Sequence, residues 1–433
     1  MTPSIQATDP CVHCGFCLPT CASYRVLGTE MDSPRGRIHT LKAIAEGELS
    51  LDASVAVHFD SCLGCFACVS ACPAGVRYDE LIEQVRPQLN QVELRNPWQR
   101  QLRKLLLGLL PYPGRLRALL QPFRFYSGQN LQKLARASGL TRLFGPELEA
   151  MEQLLPSLSS ASFGPDLFGV FPALGPRRAR VGLVLGCVQR VFDPAVNAAT
   201  LAVLQANGVE VVLPEGQGCC GAATHHQGEL EQTRELAKDL VQRFEDAAAG
   251  QPLDAVLVAA SGCGHTLKQY PQLLNGESGF SAPVLDVHEF LISLGLSEHF
   301  RSRLKPLERK VAYHDACHMI HGQGIRSQPR QLLMTIPGMT LREATEAGVC
   351  CGSAGIYNVV QPREAAALGQ LKATDLATTG ADVIASANIG CSLQIRRHLA
   401  AQGKIQPVLH PMELLAESAG LLSAAAPAAA NNS

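Results

Sequence analysis

Cys62-Leu63-Gly64-Cys65-Phe66-Ala67-Cys68-Val69-Ser70-Ala71-Cys72-Pro73 decides how the first part of this chain folds. It reads C-x2-C-x2-C-x3-C-P. Three thiolates at this spacing wrap one face of an iron–sulfur cube, and a fourth arrives from elsewhere. The spacing recurs at Cys11, Cys14, Cys17 and Cys21, with Ala22 in place of the proline. In two-cluster ferredoxins the fourth Cys of each run ligates the other cluster. The expected sets are therefore Cys11, Cys14, Cys17 and Cys72 for one [4Fe-4S] cluster, and Cys62, Cys65, Cys68 and Cys21 for the second. Structural zinc and disulfides are the competing readings. Zinc pairs two C-x2-C knuckles and has no use for a third Cys at the same interval.

Working outward, Ser33-Pro34 is a helix start and Gly47 a stop, so a helix is expected from Pro34 to about Glu46. The gap between the two runs thus holds helix, as in an α-helical ferredoxin-type domain. Leu81, Ile82, Val85 and Leu89 place a second helix over 78–89. Arg35 and Arg37 either tune a nearby cluster or face water.

The chain has 433 residues, enough for two to four domains. Its net charge of −1 gives no general pull toward nucleic acid. Sixteen Cys without a basic and apolar leader in Met1–Pro10 read as metal ligation in a reducing, cytoplasmic compartment. No apolar run of about 18 residues is present to span a membrane. From Arg95 to Gly145 there are ten basic residues and no acidic one: Arg95, Arg100, Arg103, Lys104, Arg115, Arg117, Arg124, Lys133, Arg136 and Arg142. They alternate with Leu-rich runs and the only Trp, Trp98. The stretch reads either as a helical connector or as a peripheral contact, over 95–145, with the inner face of the cell membrane. Residues 155–178, rich in Ser, Gly and Pro, read as linker.

From Ala179 strand and helix alternate. Strands are expected at 180–185, 209–213 and 254–260, and helices at 194–206 and 229–249, which gives a parallel sheet. An internal repeat follows. Cys187, Cys219-Cys220-Gly221 and Cys263 correspond to Cys317, Cys350-Cys351-Gly352 and Cys391. The expected architecture is α+β and multidomain. It has an N-terminal α-helical ferredoxin-type domain (1–92), a basic helical connector and linker (93–178), two homologous α/β Cys-Cys-Gly domains (179–300 and 308–420) and a disordered tail (421–433).

Each quartet should gather at the carboxyl ends of its sheet, with Gly221 and Gly352 allowing close approach or positive φ. Four thiolates suit a further iron–sulfur cluster or zinc; the plainer reading is buried free Cys. His314, Asp315, His318 and His321 surround Cys317, and His225 and His226 follow Cys220. They read as ligands, as partners orienting a ligand, as proton carriers to a quinone, or as ordinary structural histidines. His314 and His318 carry the strongest case. No flavin site, nucleotide fingerprint or substrate-oxidising base is recognisable, so the chain itself has no expected catalytic residue.

Two ferredoxin runs followed by two Cys-Cys-Gly domains resemble a known family. It comprises the iron–sulfur subunits of glycolate oxidase, of D-lactate and anaerobic glycerol-3-phosphate dehydrogenases, and the cluster-bearing subunits of heterodisulfide reductase. Met31–Ile38, Cys62–Cys68, Tyr313–His318 and Cys350–Gly355 look most like the glycolate oxidase subunit. The resemblance implies a separate FAD-containing subunit that oxidises glycolate to glyoxylate, and relay of its electrons through this chain toward a quinone. The sequence departs from heterodisulfide reductase at Ala260 and Asn388, where that family completes a C-x-x-C. A five-thiolate site cannot form.

Overall fold

A computed structural model describes residues 8–421 apart from 129, 130, 140, 142, 144, 277 and 278. Arg142 and residues 422–433 of the expected tail lie outside the described residues. Leu421 packs against the core.

The N-terminal part is helical, as the gap between the cysteine runs predicts. Ser33 caps the helix Pro34–Ala45, its Oγ accepting from the Gly36 N–H at 3.0 Å. The helix Tyr78–Leu89 buries Leu81, Ile82, Val85 and Leu89 against Ile38, Leu41 and Phe59. Arg37 lies inside this packing. It donates to His58 O at 2.6 Å, Ser23 Oγ at 3.0 Å and Ser61 Oγ at 2.8 Å, and lies 3.6 Å from the Asp32 carboxylate. A guanidinium this deeply buried is tolerated because it is paired and hydrogen-bonded.

Helices Pro97–Leu109, Pro113–Leu120, Phe123–Gly128, Leu131–Ser138 and Pro146–Leu154 make the connector. Several of its basic residues meet acids: Arg95 pairs with Asp60 of the ferredoxin part, Arg103 with Glu229 of the first repeat at 2.6 Å, and Arg117 with Asp166 further along the same part. Its apolar side packs on the repeats, Leu102 and Leu106 against Ile356, and Leu116 against Val191. Trp98, Leu105, Leu119 and Leu134 stay exposed.

The linker reading of 155–178 needs correction. Gly169–Phe171 forms strand β1, antiparallel to the strand Val209–Leu213. Pro and Gly on either side hide so short a strand, and it forms because it covers the backbone edge of the neighbouring strand. The first sheet has the order β1-β3-β2-β4-β5, with β2 Ala179–Val184, β3 Val209–Leu213, β4 Ala255–Val258 and β5 Val284–Asp286. The second has the order β7-β6-β8-β9, with β6 Lys310–His314, β7 Thr340–Arg342, β8 Val383–Ser386 and β9 Val408–Leu409. Apart from β1 the two sheets share one topology, all parallel. The carboxyl ends of each sheet's strands therefore lie along one edge, where open α/β sheets place their sites.

One apolar cluster spans both repeats. Val181, Leu204 and Phe300 of the first belong to one apolar cluster with Val311, Ile384 and Leu415 of the second. Helix Pro194–Ala206 packs on Pro411–Ser418, and Val287–Leu294 on Gln328–Leu333. Phe300→Ala should therefore cost about 3–5 kcal/mol. In hydrogen exchange the amides of β2 and β6 should lose protection together.

Candidate functional site

Cys11, Cys14, Cys17 and Cys72 line one pocket, walled by Ile38, Val76 and Tyr78; Cys68 also reaches it. The fourth Cys of the second run thus stands with the first three of the first run. Both loops turn the same way. His13 and Gly15 have φ of 52° and 86°, and Gly64 and Phe66 have φ of 57° and 60°. A bulky residue in the left-handed region is strained. Phe66 is held there by the His318 ring, stacked at 5.2 Å.

Backbone N–H groups converge on the sulfurs. Gly64 N–H donates to Cys62 Sγ and Val76 N–H to Cys72 Sγ, each at 3.4 Å. Burial pushes the Cys17 thiol up to about 11. It also pushes Cys65 and Cys68 up, each further raised by Cys21 and Cys62 nearby. Cys62 goes the other way. Burial opposes its thiolate, but the Arg37 and Arg86 guanidiniums and the Gly64 N–H outweigh it, and its pKa falls below the ordinary value. Two sets of soft thiol donors in apolar surroundings, with N–H groups aimed at sulfur, fit iron–sulfur clusters.

In the first repeat Cys187 and Cys219 Sγ lie 3.1 Å apart, and hydrogen bonding continues to Cys220 and Cys263. The second repeat has the same row: Cys317, Cys350, Cys351 and Cys391. The glycine after each pair has positive φ, 77° at Gly221 and 86° at Gly352. A Cβ on Gly352 would sit 2.7 Å from Ala365 O. The second row runs up to the ferredoxin loop, where Cys350, Cys317 and Cys65 pack together around Leu63.

Family models match three parts of the chain: a 4Fe-4S dicluster domain over 7–76, the linker region of the glycolate oxidase iron-sulfur subunit over 98–155, and a cysteine-rich domain over 181–268 and again over 311–396. The probable glycolate oxidase iron-sulfur subunit of Bacillus subtilis is 35% identical, covering 95% of this chain and 94% of its own. The glycolate oxidase iron-sulfur subunit of Escherichia coli is 32% identical, covering 94% and 93%. A fumarate reductase (CoM/CoB) subunit of Methanothermobacter marburgensis is 30% identical, covering 82% and 71%. This chain belongs to the glycolate oxidase iron–sulfur subunit family.

In this glycolate-oxidase-type subunit the second cysteine loop is fastened by side chains of other segments. Arg86 donates to Cys62 O at 3.0 Å and also to His226 O. His226 Nε2 meets Leu63 O at 2.7 Å, and His318 Nε2 meets Gly64 O at 2.8 Å. A carbonyl only accepts, so both imidazoles carry their proton on Nε2. His265 packs on His318 at 4.9 Å and on Phe66 at 5.2 Å.

The expected histidines therefore separate. His318 and His226 hold the ferredoxin loop, and His321 bonds Ser70 Oγ at 2.8 Å. Only His314 joins the thiol row, beside Cys351 and Cys391. Asp315 is tied to Arg330 at 2.8 Å. Arg37 lies by Cys62 and Cys21, and Arg35 lines the pocket of Cys11, Cys14, Cys17 and Cys72, its side chain bonding Glu30 and His13 O and its backbone N–H the Cys17 sulfur. Sequence reasoning missed Arg86 and His265. Arg86 reads as one more polar residue of an amphipathic helix. For His265 the one signal in the sequence is its place two residues after Cys263.

Burial, reinforced by Arg86 and His318, lowers His225 from an ordinary 6.5 to about 4, and lowers His226 well below its ordinary value. The unfolded chain binds those protons at higher pH than the folded one. This stability is therefore full above about pH 6.5 and is lost as pH falls toward 4. At pH 5 His225 alone should account for about 2 kcal/mol. Thermal midpoints should fall between pH 7 and pH 5, and less steeply in His225→Asn.

Proposed function

We propose that this chain is the electron-transfer subunit of a glycolate-oxidising complex. It takes electrons from a partner FAD-containing subunit and relays them toward a quinone. The observation that carries the reading is the pocket that brings Cys72 to Cys11, Cys14 and Cys17. The extended likeness to two glycolate oxidase iron–sulfur subunits supports the substrate.

Cys11, Cys14, Cys17 and Cys72 would hold one [4Fe-4S] cluster, and Cys62, Cys65, Cys68 and Cys21 the other. When bound, such clusters supply one-electron transfer with little change of structure. The chain's own residues bury Cys21, Cys62 and Cys68 away from water, aim N–H groups at sulfur and place Arg37 and Arg86 beside Cys62, all of which tune potential. The row Cys317, Cys350, Cys351 and Cys391 continues from Cys65 into the second repeat.

We assign the boundaries 1–92, 93–178, 179–300 and 308–420 to the four functional parts, with β1 borrowed from the connector. Among the described residues no helix is long and apolar enough to cross a membrane. The exposed Trp98, Leu105 and Leu119 support a peripheral contact at the cytoplasmic face of the membrane. Disulfide reduction is disfavoured at Asn388, whose Nδ2 donates to Cys391 Sγ at 3.4 Å where a heterodisulfide reductase has a further thiol.

The test uses the native complex purified without oxygen. Glycolate should produce the reduced-cluster EPR signal, and D-lactate or glycerol 3-phosphate should do so weakly or not at all. A signal from lactate alone would keep the relay and discard glycolate; no signal from any of the three would discard both. Cys65→Ser should remove one cluster's signal, lower iron from about eight per chain toward four, and uncouple quinone reduction.

A further inference from the structure

His314 is an anomaly. It ends strand β6, is 1% exposed, and neither Nδ1 nor Nε2 has a hydrogen-bond partner. An unpartnered buried donor costs about 1–3 kcal/mol. Yet a nitrogen of this ring and the sulfurs of Cys351 and Cys391 all lie within 4.8 Å of one another. The three come from separate places: the end of β6, the Cys-Cys-Gly loop, and helix Ile389–Ala401 after β8. Asn388 steadies the Cys391 sulfur by its 3.4 Å hydrogen bond.

Among the described residues the first repeat lacks this arrangement. His314 stands three residues before Cys317; three residues before Cys187 stands Val184, packed in an apolar cluster with Cys187, Cys219 and Cys220. The thiol rows match, but only one has an imidazole.

We propose that the second repeat holds a single divalent transition-metal ion, zinc by donor chemistry, with His314, Cys351 and Cys391 as ligands. Two thiolates balance the charge of a divalent ion, and sulfur with imidazole nitrogen is a donor set zinc favours. A fourth donor is at hand in the adjoining Cys350 and Cys317. Binding satisfies one ring nitrogen and turns His314 from a liability into a link between strand, loop and helix. The two repeats are then chemically unequal, because the first has Val184 where the second has His314. This goes beyond the electron-transfer reading and does not depend on it.

The test takes the full-length chain with its ferredoxin clusters, exposed to Zn2+ and washed. Wild type should retain one zinc per chain beyond its cluster iron. Zinc-edge X-ray absorption should show sulfur scattering together with the multiple scattering of an imidazole. His314→Val installs the residue the first repeat already tolerates. It should weaken zinc retention by at least the ~10–100-fold seen when ligand-orienting partners are lost, with iron content and cluster EPR unchanged. His314→Cys should restore retention. Retention of zinc by His314→Val, absence of zinc or of imidazole scattering in wild type, or extra iron with sulfide in its place would each overturn the proposal. The wild-type absorption spectrum decides the matter even if the valine variant fails to fold. None of these readouts uses glycolate, so failure here is distinguishable from failure of the substrate assignment.

Discussion

Three consecutive carbonyls, those of Cys62, Leu63 and Gly64, turn away from the sulfur side of their loop and into the protein. Buried carbonyls need donors. The donors are Arg86 from the ferredoxin part, His226 from the first repeat and His318 from the second. This one requirement locks three segments, distant in sequence, around the loop that presents Cys62, Cys65 and Cys68. It explains why Phe66 keeps a left-handed backbone: the ring that stacks on it belongs to the histidine that bonds Gly64. It also explains why the imidazoles stay neutral, since they are buried beside the Arg86 guanidinium.

The same burial creates an electrostatic problem that the chain answers unequally. Cys65 and Cys68 are pushed up by loss of water, whereas Cys62 is pulled down. The difference is the placement of Arg37 and Arg86. Arg37 is kept charged in turn, against its own burial, by the Cys62 sulfur and the Asp32 carboxylate 3.6 Å away. A fixed positive charge beside one sulfur would favour the more negative, reduced state of a cluster held there, so a cluster on Cys62 would feel both arginines in its redox poise.

The repeats show how duplicated scaffolds diverge. Strand order, the positive-φ glycine and the row of four thiols are kept, and the glycine is needed to turn the chain beside the paired cysteines. The flanking positions are free to change, and His314 against Val184 is such a change. The shared core between the repeats fixes their relation. Helices of each cover a face of the other, so neither edge can shift without opening apolar surface.

Local chemistry was legible in the sequence. The helices 194–206 and 78–89 and the strand 209–213 coincide with their expected bounds, because apolar period and punctuation decide such elements within a few residues. The repeat was legible from the cysteines, and so was the place of Cys72 beside the first run, since the spacing of the two runs dictates it. The strand Gly169–Phe171 was not, because three residues acquire a period only from the neighbour they pair with. Nor could the sequence say which of six nearby histidines meets a carbonyl and which meets a thiol. His314 and His318 are four residues apart, yet one ends a strand beneath the cysteines and the other faces the ferredoxin loop. Residue type and spacing determined what chemistry this chain carries; only the packing of the two repeats on that loop decided where each side chain points, because burial and hydrogen-bond satisfaction are settled by contacts between distant segments.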